Sequence, residues 1–290
     1  MSDFVTHKSL LFTVAYEMLG SAADAEDVVQ ETWLRWADMS DAARADVRDP
    51  RAYLVRIVTR QALNRLRTLS RQREDYVGEW LPEPLLTSPD VTDDVELAES
   101  VSIALLTVLE TLTPVERAVF VLRDVFDAPY EEIAEAVGKS SATVRQIAHR
   151  AREHVAARRP RMTVSHTQQQ EVVQRFFAAL TTGDTQALMA MLAPDVVIVA
   201  DGGGVARAAL RPIEGRDRAL MFASRFSQVP PDVEITTLLV NGAVAVRVDR
   251  AGPFDTLFTF VVEDGRITRI YAIRNPHKLG RLEKVAELRR

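Results

Sequence analysis

The stretch "YEEIAEAVGKSSATVRQIAHRAREHV", residues 130–155, predicts two short helices joined by a tight turn. Gly138 suits the turn because glycine reaches positive φ without a steric cost, and Ser140 or Ser141 can cap the second helix. Apolar residues recur on one face of each helix at the spacing of a buried side. The residues that we expect to face inward are Ile133, Ala134, Val137, Val144, Ile147, Ala148 and Ala151.

The outward face of the second helix carries the groups that a DNA-reading helix needs. A helix in the major groove requires short polar side chains that reach base edges and cations that meet phosphates. The spacing alone also fits an ordinary helix pair that binds no DNA, so both interpretations stay open at this point. The residues expected at outward positions are Ser141, Ala142, Thr143, Arg145, Gln146, His149, Arg150 and Arg152.

The charge distribution favours nucleic acid as a partner, although the net charge is −5. Residues 50–73 hold seven arginines and no acid, and residues 139–161 hold seven basic residues and one acid. Between them, residues 74–116 hold eleven acids and no base. Two basic blocks indicate two nucleic-acid surfaces, whereas either block alone would favour a solvated helix face.

The composition limits the class of protein. A length of 290 residues with 47% hydrophobic content allows two or three domains with cores of their own. The absence of cysteine excludes disulfides and thiolate metal sites and fits a reducing cytoplasm. The sequence shows no signal peptide, no apolar run of the ~20 residues that a membrane helix needs, and no metal cluster. We therefore expect a soluble cytoplasmic protein that binds no cofactor and no membrane.

The helix predicted over residues 25–39 has an acidic and polar side next to bulky apolar residues. Such a mixture fits a docking face for a basic protein partner, and it equally fits an amphipathic helix with a solvated acidic side. The acidic and polar residues are Asp24, Asp27, Gln30 and Glu31, and the bulky apolar residues are Val28, Trp33, Leu34 and Trp36.

The helix predicted over residues 50–74 is rich in arginine and begins at Pro50, a favoured first helical residue. Arginines supply phosphate contacts, amide side chains hydrogen-bond bases, and an aromatic ring stacks on an unpaired base. The residues assigned to these roles are Arg56, Arg60 and Arg67 for phosphates, Gln61 and Asn64 for bases, and Tyr53 for stacking.

The C-terminal part of the chain changes to a mixed pattern. A helix pair broken at Thr182-Gly183-Asp184 is followed by alternating apolar stretches that predict strands. We expect the order two helices, two strands, a helix and four strands. The predicted strands are 196–201, 206–213, 233–240, 243–250, 255–263 and 266–274, with a helix at 216–226 and hairpin turns at Asn241-Gly242 and Asp264-Gly265.

Three stretches together resemble an extracytoplasmic-function sigma factor, a bacterial transcription initiation factor. They are "DAEDVVQETWLRW" (24–36), "PRAYLVRIVTRQALNRLR" (50–67) and "LTPVERAVFVLRDVFDAPYEEIAEAVGKSSATVRQIAHRARE" (112–153). The resemblance covers about residues 4–157 and implies binding to core RNA polymerase, through its β′ and β subunits, and to promoter DNA. Many relatives carry Asn where this chain has Gln61, and Asp where it has Asn64.

The resemblance also assigns roles by position. It implies polymerase contacts at Asp24, Asp27, Gln30, Glu31, Trp33 and Leu34, and minus-ten contacts at Tyr53, Arg56, Arg60, Gln61, Asn64 and Arg67. It implies minus-thirty-five contacts at Ser141, Thr143, Arg145, Gln146, His149, Arg150 and Arg152. In relatives the acidic segment between the two regions runs through basic channels of the polymerase, and an acidic tether explains the same composition.

Three further motifs, "WLPEP" (80–84), "DGGG" (201–204) and "NPHKL" (275–279), are similar to those of one subgroup of these sigma factors. In that subgroup the sigma factor is fused to a SnoaL-like domain, a cone of sheet and helices. The subgroup implies control in cis by that domain, in part supporting activity and in part restraining it. Val205 and His277 depart from the subgroup, which usually has Lys and Asp there. If the missing Lys made an ion pair, either Arg207 or Arg211 replaces it or the contact is absent. The regulatory residues are Trp80, Leu81, Pro82, Glu83 and Pro84; Asp201, Gly202, Gly203 and Gly204; and Asn275, Pro276, Lys278 and Leu279.

The expected fold is two all-α helical domains followed by an α+β SnoaL-like cone. The expected boundaries are region 2 at 1–77, an acidic linker at 78–95, region 4 at 96–160, a second linker at 161–167 and the cone at 168–290.

The three glycines after Asp201 do not form a phosphate cradle, because a strand follows them and no Lys-Ser or Lys-Thr does. They fit a structural bend. They also fit an internal contact site against residues 80–84 or region 2.

The presence of the cone keeps open two other functions for the whole chain besides that of a sigma factor with built-in control. One is a helix-turn-helix regulator with a ligand-sensing domain, and the other is an enzyme. No His-Asp pair at a suggestive spacing supports catalysis, so we expect no enzyme. A small apolar ligand remains a candidate occupant of the cone.

Overall fold

The computed structural model describes residues 2–159, 166–223, 233–249 and 255–290. Its N-terminal half is helical, with a π-helical turn at Val121–Val125 between two α-helices. The helices are α1 Ser2–Leu19, α2 Ala22–Ala37, α3 Asp41–Ala45, α4 Pro50–Glu74, α5 Pro89–Asp93, α6 Val95–Val101, α7 Ile103–Leu109, α8 Pro114–Phe120, α9 Tyr130–Val137 and α10 Ser141–Arg158.

The helix ends follow the capping chemistry of the sequence. Ser21 accepts a hydrogen bond from the Asp24 amide at the start of α2, and Asp49 caps α4 just before Pro50. Gly138 has φ 68° at the end of α9. The cap of α10 is Ser140, which accepts from the Thr143 amide, so the choice left open between Ser140 and Ser141 is settled by the hydroxyl that reaches a free amide.

The C-terminal half is an α+β unit with one six-stranded sheet in the order β2-β1-β6-β5-β4-β3. Strands β1 and β6 are parallel, and the other neighbours are antiparallel. The elements are α11 His166–Thr182, α12 Thr185–Met191, β1 Leu192–Asp201, β2 Ile213–Glu214, α13 Arg216–Ala223, β3 Glu234–Val240, β4 Ala243–Asp249, β5 Thr256–Glu263, β6 Arg266–Ile273 and α14 Pro276–Leu279.

Two expectations change in this half. The strand predicted over 206–213 is wrong except at Ile213, because the amides of Val205 and Ala206 turn back onto the Gly202 carbonyl instead of pairing with a strand. Residues 161–165 of the predicted second linker, 161–167, lie outside the described residues. Its last two residues, 166 and 167, belong to the start of α11. The end of the helix predicted at 216–226 also lies outside them.

The sheet separates two apolar clusters. Helices α11 to α13 cover one face, where Phe176, Ile198, Phe258 and other side chains form the core of the cone. On the other face, Val199, Leu257 and Tyr271 belong to a cluster that also contains Leu81, Ile103 and Ala104. Because these last three residues come from the acidic linker and α7, the helical half of the molecule covers the second face of the sheet.

Candidate nucleic-acid interface and interdomain contact site

The predicted minus-thirty-five face of α10 is open to solvent. Its inward residues are buried as predicted, and its outward side chains are exposed except Ser141, which is half-buried. Several of them form surface ion pairs, such as Arg145 with Glu131 at 3.3 Å and Arg152 with Asp124 at 2.5 Å. Exposed pairs of this kind contribute little and are easily exchanged for phosphates. The described part of the chain therefore leaves this face free to meet DNA.

The arginine face of α4, by contrast, packs against α9. The Arg56 guanidinium lies 2.7 Å from a Glu135 carboxylate oxygen, and Arg60 donates to the Glu135 backbone carbonyl at 2.7 Å. Tyr53 is half-buried and its ring packs against that of Trp36 at a centroid distance of 5.8 Å.

The remaining predicted minus-ten residues divide into two kinds. Gln61 is only 7% exposed, so it contacts no DNA in this arrangement. Asn64 and Arg67 are exposed, and Arg67 donates to the Asn64 side-chain oxygen at 3.0 Å. We call this arrangement, with α4 against α9, the closed arrangement. In it Tyr53 and Arg56 are half-buried and Gln61 is buried, whereas Arg60, Asn64 and Arg67 are exposed.

The acidic side of α2 is partly engaged within the chain. Arg65 of α4 lies 2.8 Å from an Asp24 oxygen and 2.6 Å from an Asp27 oxygen. Farther along the helix, Gln30 and Glu31 are exposed and Leu34 is 58% exposed. Trp33 is half-buried against Phe4. The predicted docking face is therefore accessible mainly at its C-terminal end.

The Trp80–Pro84 segment joins the turn between α1 and α2 to the cone. Glu83 is buried, and its carboxylate accepts from the Ala22 amide at 2.8 Å, at the N-terminus of α2, where the helix dipole favours a negative charge. The Glu83 amide donates to the Gly20 carbonyl at 2.8 Å. A Cβ on Gly20 would lie 2.8 Å from the Trp80 ring, so glycine permits the close packing of this segment.

Trp80 also lies between two cations. The Arg73 guanidinium is 3.8 Å from the Trp80 ring centroid, and the Lys278 ammonium is 4.1 Å from it. Cation–π contacts of this kind strengthen when the cation is desolvated. The indole therefore links the end of α4 to α14 of the cone.

Asp201 forms the centre of the contact between the cone and the helical half. It is 0% exposed, and its carboxylate accepts from the Tyr76 hydroxyl at 2.6 Å and from the Leu81 amide at 2.9 Å. The Lys278 ammonium lies 2.7 Å from the same carboxylate and donates to the Leu81 carbonyl at 2.5 Å. Burial lowers the pKa of Lys278 to about 8, an effect that the Asp201 charge partly offsets. We call the group formed by Tyr76, Trp80–Pro84, Asp201–Gly204 and Asn275–Leu279 the Asp201 contact site.

The glycines make this close approach possible. Gly203 has φ 59°, and a Cβ there would lie 2.2 Å from Asn275 Nδ2, which donates to the Tyr76 hydroxyl at 2.9 Å. A Cβ on Gly202 would lie 2.1 Å from the Ala206 carbonyl oxygen. The loop is therefore both a tight bend and a contact surface, so the two alternatives for the glycines hold together.

The cation that pairs with Asp201 comes from α14. Neither Arg207 nor Arg211 pairs with Asp201; the ion pair is made by Lys278, on the helix that follows β6. Of the two residues that depart from the subgroup, Val205 is 62% exposed. His277 contacts the site through its backbone amide, which donates to Asn275 Oδ1. Sequence reasoning also missed Tyr76, because nothing in its neighbourhood distinguishes it from the end of the arginine helix.

The cone contains an apolar cavity between its helices and the sheet. Its described lining carries no acid, base or metal ligand, so it offers no group for proton transfer. Within the four described ranges, the His, Asp and Glu side chains form no group placed to hold a metal ion, and no helix is long and apolar enough to cross a bilayer. The lining residues are Phe176, Phe177, Leu180, Thr181, Leu192, Ile198, Ala219, Phe222, Ala223, Ile235, Val248, Phe258 and Ile270.

Comparison with known proteins assigns the family. Family models match Sigma-70 region 2 at residues 4–72, Sigma-70 region 4 at 102–155 and a SnoaL-like domain at 173–270. The ECF RNA polymerase sigma factor SigJ of Mycobacterium tuberculosis is 37% identical over 96% of this chain and 92% of its own length. The probable ECF RNA polymerase sigma factor SigI of that species is 32% identical over 95% of this chain and 93% of its own length.

A solved structure agrees over nearly the whole chain. The crystal structure of the M. tuberculosis extracytoplasmic function sigma factor SigJ matches with a TM-score of 0.75 and 35% identity, covering 96% of this chain and 97% of that one. The helical regions, the cone and their order are thus shared with that protein. The chain belongs to the extracytoplasmic-function family of RNA polymerase sigma factors, in the form that carries a SnoaL-like domain after region 4.

Proposed function

We propose that this sigma factor binds core RNA polymerase through α2, opens the promoter with α4 and reads the minus-thirty-five element with α10, while the cone restrains it in cis. The observation that carries the proposal is the asymmetry between the two DNA faces. The face of α10 is exposed, whereas on α4 Gln61 is buried, Tyr53 and Arg56 are half-buried, and the Arg56 guanidinium pairs with Glu135 of α9. The closed form is thus suited to duplex DNA and unsuited to an opened minus-ten element.

The distance between the two promoter elements supports the proposal that region 2 and region 4 must separate. The two promoter elements are centred about 25 base pairs apart, which at ~3.4 Å per base pair is roughly 85 Å. In this structure α4 and α9 are in direct contact. One molecule therefore cannot engage both elements until region 2 and region 4 separate, and the Asp201 contact site ties the cone to the segment that connects them.

The apolar cavity supports a finer proposal, that a small neutral apolar molecule binds in the cone. Ile198 of β1 and Ile270 of β6 line the cavity. The same two strands end at Asp201 and lead to Asn275 of the contact site. Such a ligand shifts the balance between restrained and open forms only in so far as it binds one form more tightly.

Run-off transcription with purified core polymerase tests the proposal, on a promoter selected from a random library. Three versions are compared: the full chain, a version that ends at Arg161 and a version that ends at Asn275. We expect all three to bind core polymerase and the version ending at Asn275 to exceed the full chain in activity, because it lacks Lys278. Failure of every version to bind core polymerase would overturn the sigma function and favour a helix-turn-helix regulator that binds duplex DNA alone.

A further inference from the structure

The hairpin between β3 and β4 inserts into the helical half of the molecule at a second place. Asn241 at its tip is 1% exposed. Its side-chain nitrogen, Nδ2, donates to the Tyr16 hydroxyl and to the Val101 carbonyl, both at 2.7 Å. Its side-chain oxygen, Oδ1, accepts from the Leu85 backbone amide at 2.8 Å. One side chain of the cone thus contacts α1 of region 2, the acidic linker and the end of α6.

The backbone of the hairpin makes the same junction. The Asn241 amide donates to the Leu85 carbonyl at 2.9 Å, and the Gly242 amide donates to Thr87 Oγ1 at 3.1 Å. A Cβ on Gly242 would lie 2.6 Å from the Ala98 Cα, closer than such atoms approach in proteins. The tip of the hairpin therefore fits only while α6 and the linker hold their places around it.

Helix α6 transmits this contact to both DNA-binding regions. Ser100 donates to the Glu17 carboxylate of α1 at 2.8 Å, and Glu99 forms an ion pair with Arg159, which follows α10. A displacement of α6 consequently affects region 2 and region 4 together. A buried asparagine with all these bonds made is costly to withdraw, because each polar group must find a new partner.

The second Asx-Gly hairpin of the cone provides an internal comparison. Asp264 and Gly265 have φ values of 51° and 72°, against 52° and 71° for Asn241 and Gly242. Yet Asp264 and Gly265 are exposed, and a Cβ on Gly265 would meet no atom within 4 Å. The two turns share their local conformation and differ in what lies against them.

We propose that the Asn241-Gly242 hairpin is a second docking element, connected to the Asp201 contact site by the hydrogen bond from the Tyr16 hydroxyl to the Glu83 carbonyl, and that it holds α1 and α6 in the closed arrangement and so keeps region 2 and region 4 together. The inference rests on the proposed function in one respect, that the closed form is the restrained form. The tip of the hairpin lies between α1, α6 and the acidic linker, and separation of region 2 from region 4 requires the hairpin to leave this position.

The test compares Gly242→Asn with Gly265→Asn in the full chain. Asparagine accepts the left-handed conformation, so the strain added to the turn is similar, and only the new side chain at 242 meets Ala98. The chain has no cysteine, so Asp38→Cys and Lys139→Cys, both at exposed positions, take a donor and an acceptor dye. Energy transfer between the dyes then reports the separation of region 2 and region 4.

We expect Gly242→Asn to raise the open fraction about tenfold and Gly265→Asn to leave it unchanged. Asn241→Ala, paired with Asp264→Ala, removes the buried hydrogen bonds without adding bulk and decides the question if Gly242→Asn does not fold. Equal energy transfer in the 241 or 242 variants and their controls would overturn the proposal. Lower energy transfer without increased run-off transcription would support the docking role of the Asn241-Gly242 hairpin and overturn the claim that the closed form is the restrained form.

Discussion

Asp201 and Lys278 illustrate how much a single buried pair depends on its surroundings. The carboxylate is saturated by a hydroxyl, an amide and an ammonium, and the ammonium is shared with a carbonyl of the linker. Removing two charges from water is expensive, and only such complete bonding offsets the cost. The pair therefore specifies which surfaces meet, more than it adds stability.

We expect Asp201→Asn to destabilise the full chain by about 3–5 kcal/mol, because the neutral amide leaves the buried Lys278 ammonium without a counter-charge. The double variant Asp201→Asn/Lys278→Met should lose less than the sum of the single variants, since it leaves no buried unpaired charge. Urea unfolding measures both effects. Asp195→Asn, on the exposed part of the same strand, is the control and should cost little; additive losses would contradict the expected coupling.

Glu17 is a second buried group whose ionisation matters at the residue scale. Burial raises the pKa of Glu17 to about 8 from an ordinary 4.5, although the hydrogen bond from Ser100 and the charges of Arg290 and Arg117 oppose the rise. Between these two values the folded protein holds a proton that the unfolded chain releases. The contribution of Glu17 to stability is therefore present at low pH and is lost as the pH rises toward 8.

Glu17→Gln should remove this pH dependence, because glutamine keeps an oxygen that accepts from Ser100 and carries no ionisable proton. We expect the variant to match the parent protein near pH 5 and to exceed it near pH 8 by a few kcal/mol. Urea unfolding at several pH values across this window measures the difference. Parallel stability curves for the two proteins would contradict the assignment.

At the scale of elements, the end of α9 contacts the arginines of α4 that the proposed function assigns to promoter DNA. Arg60 donates to the carbonyls of Glu135 and Ala136 in the last turn of α9, where the helix carries partial negative charge. The Glu135 carboxylate adds a full charge opposite Arg56. A helix C-terminus thus presents to the arginines the kind of oxygen array that a phosphate backbone presents.

Reversing one charge at this contact should loosen it. Glu135→Arg places a cation opposite Arg56 and Arg60, and because an exposed pair contributes at most about 1 kcal/mol, we expect a two- to fivefold rise in the open fraction. Hydrogen exchange of the α9 and α4 amides measures it, since exchange follows the opening equilibrium. Glu132→Arg, at an exposed position on the same helix, is the control; equal exchange in the two variants would contradict the role of Glu135.

At the scale of the whole molecule, the proposed function requires region 2 and region 4 to separate. The segment between region 2 and region 4 is held from the cone side at Asp201 and at Asn241. The second face of the sheet packs on Leu81 and Ile103. Region 2 and region 4 therefore cannot move far apart while the cone keeps all these contacts.

A chemical link between α4 and α9 should lock this arrangement. Arg56→Cys and Glu135→Cys introduce the only two thiols of the chain at positions whose native side chains touch. A short bifunctional maleimide with a reducible centre should abolish the run-off transcription that the unlinked double variant retains, while duplex binding by α10 persists, and reduction should restore the activity of the unlinked double variant. Singly substituted proteins treated in the same way are the controls. Full activity of the linked protein would refute the need for separation.

The sequence by itself determined the local elements and the family. Helical periodicity, Gly138, Pro50 and the Asn-Gly and Asp-Gly turns are short-range signals, because each depends on residues a few positions apart. Together with the period-two apolar alternation, they placed the helix-turn-helix, the arginine helix and five of the strands, and the motifs identified a sigma factor. The loop after the glycines was misread as a strand because its backbone bonds close within the loop.

Only the tertiary structure decided which of these elements meet. Lys278 and Asp201 are 77 residues apart, Arg56 and Glu135 are 79 apart, and Asn241 and Tyr16 are 225 apart. The backbone conformation does not distinguish Asn241-Gly242 from Asp264-Gly265, since the two turns have nearly the same φ values. Their difference arises from packing between distant segments, where burial removes water and makes each unsatisfied polar group costly.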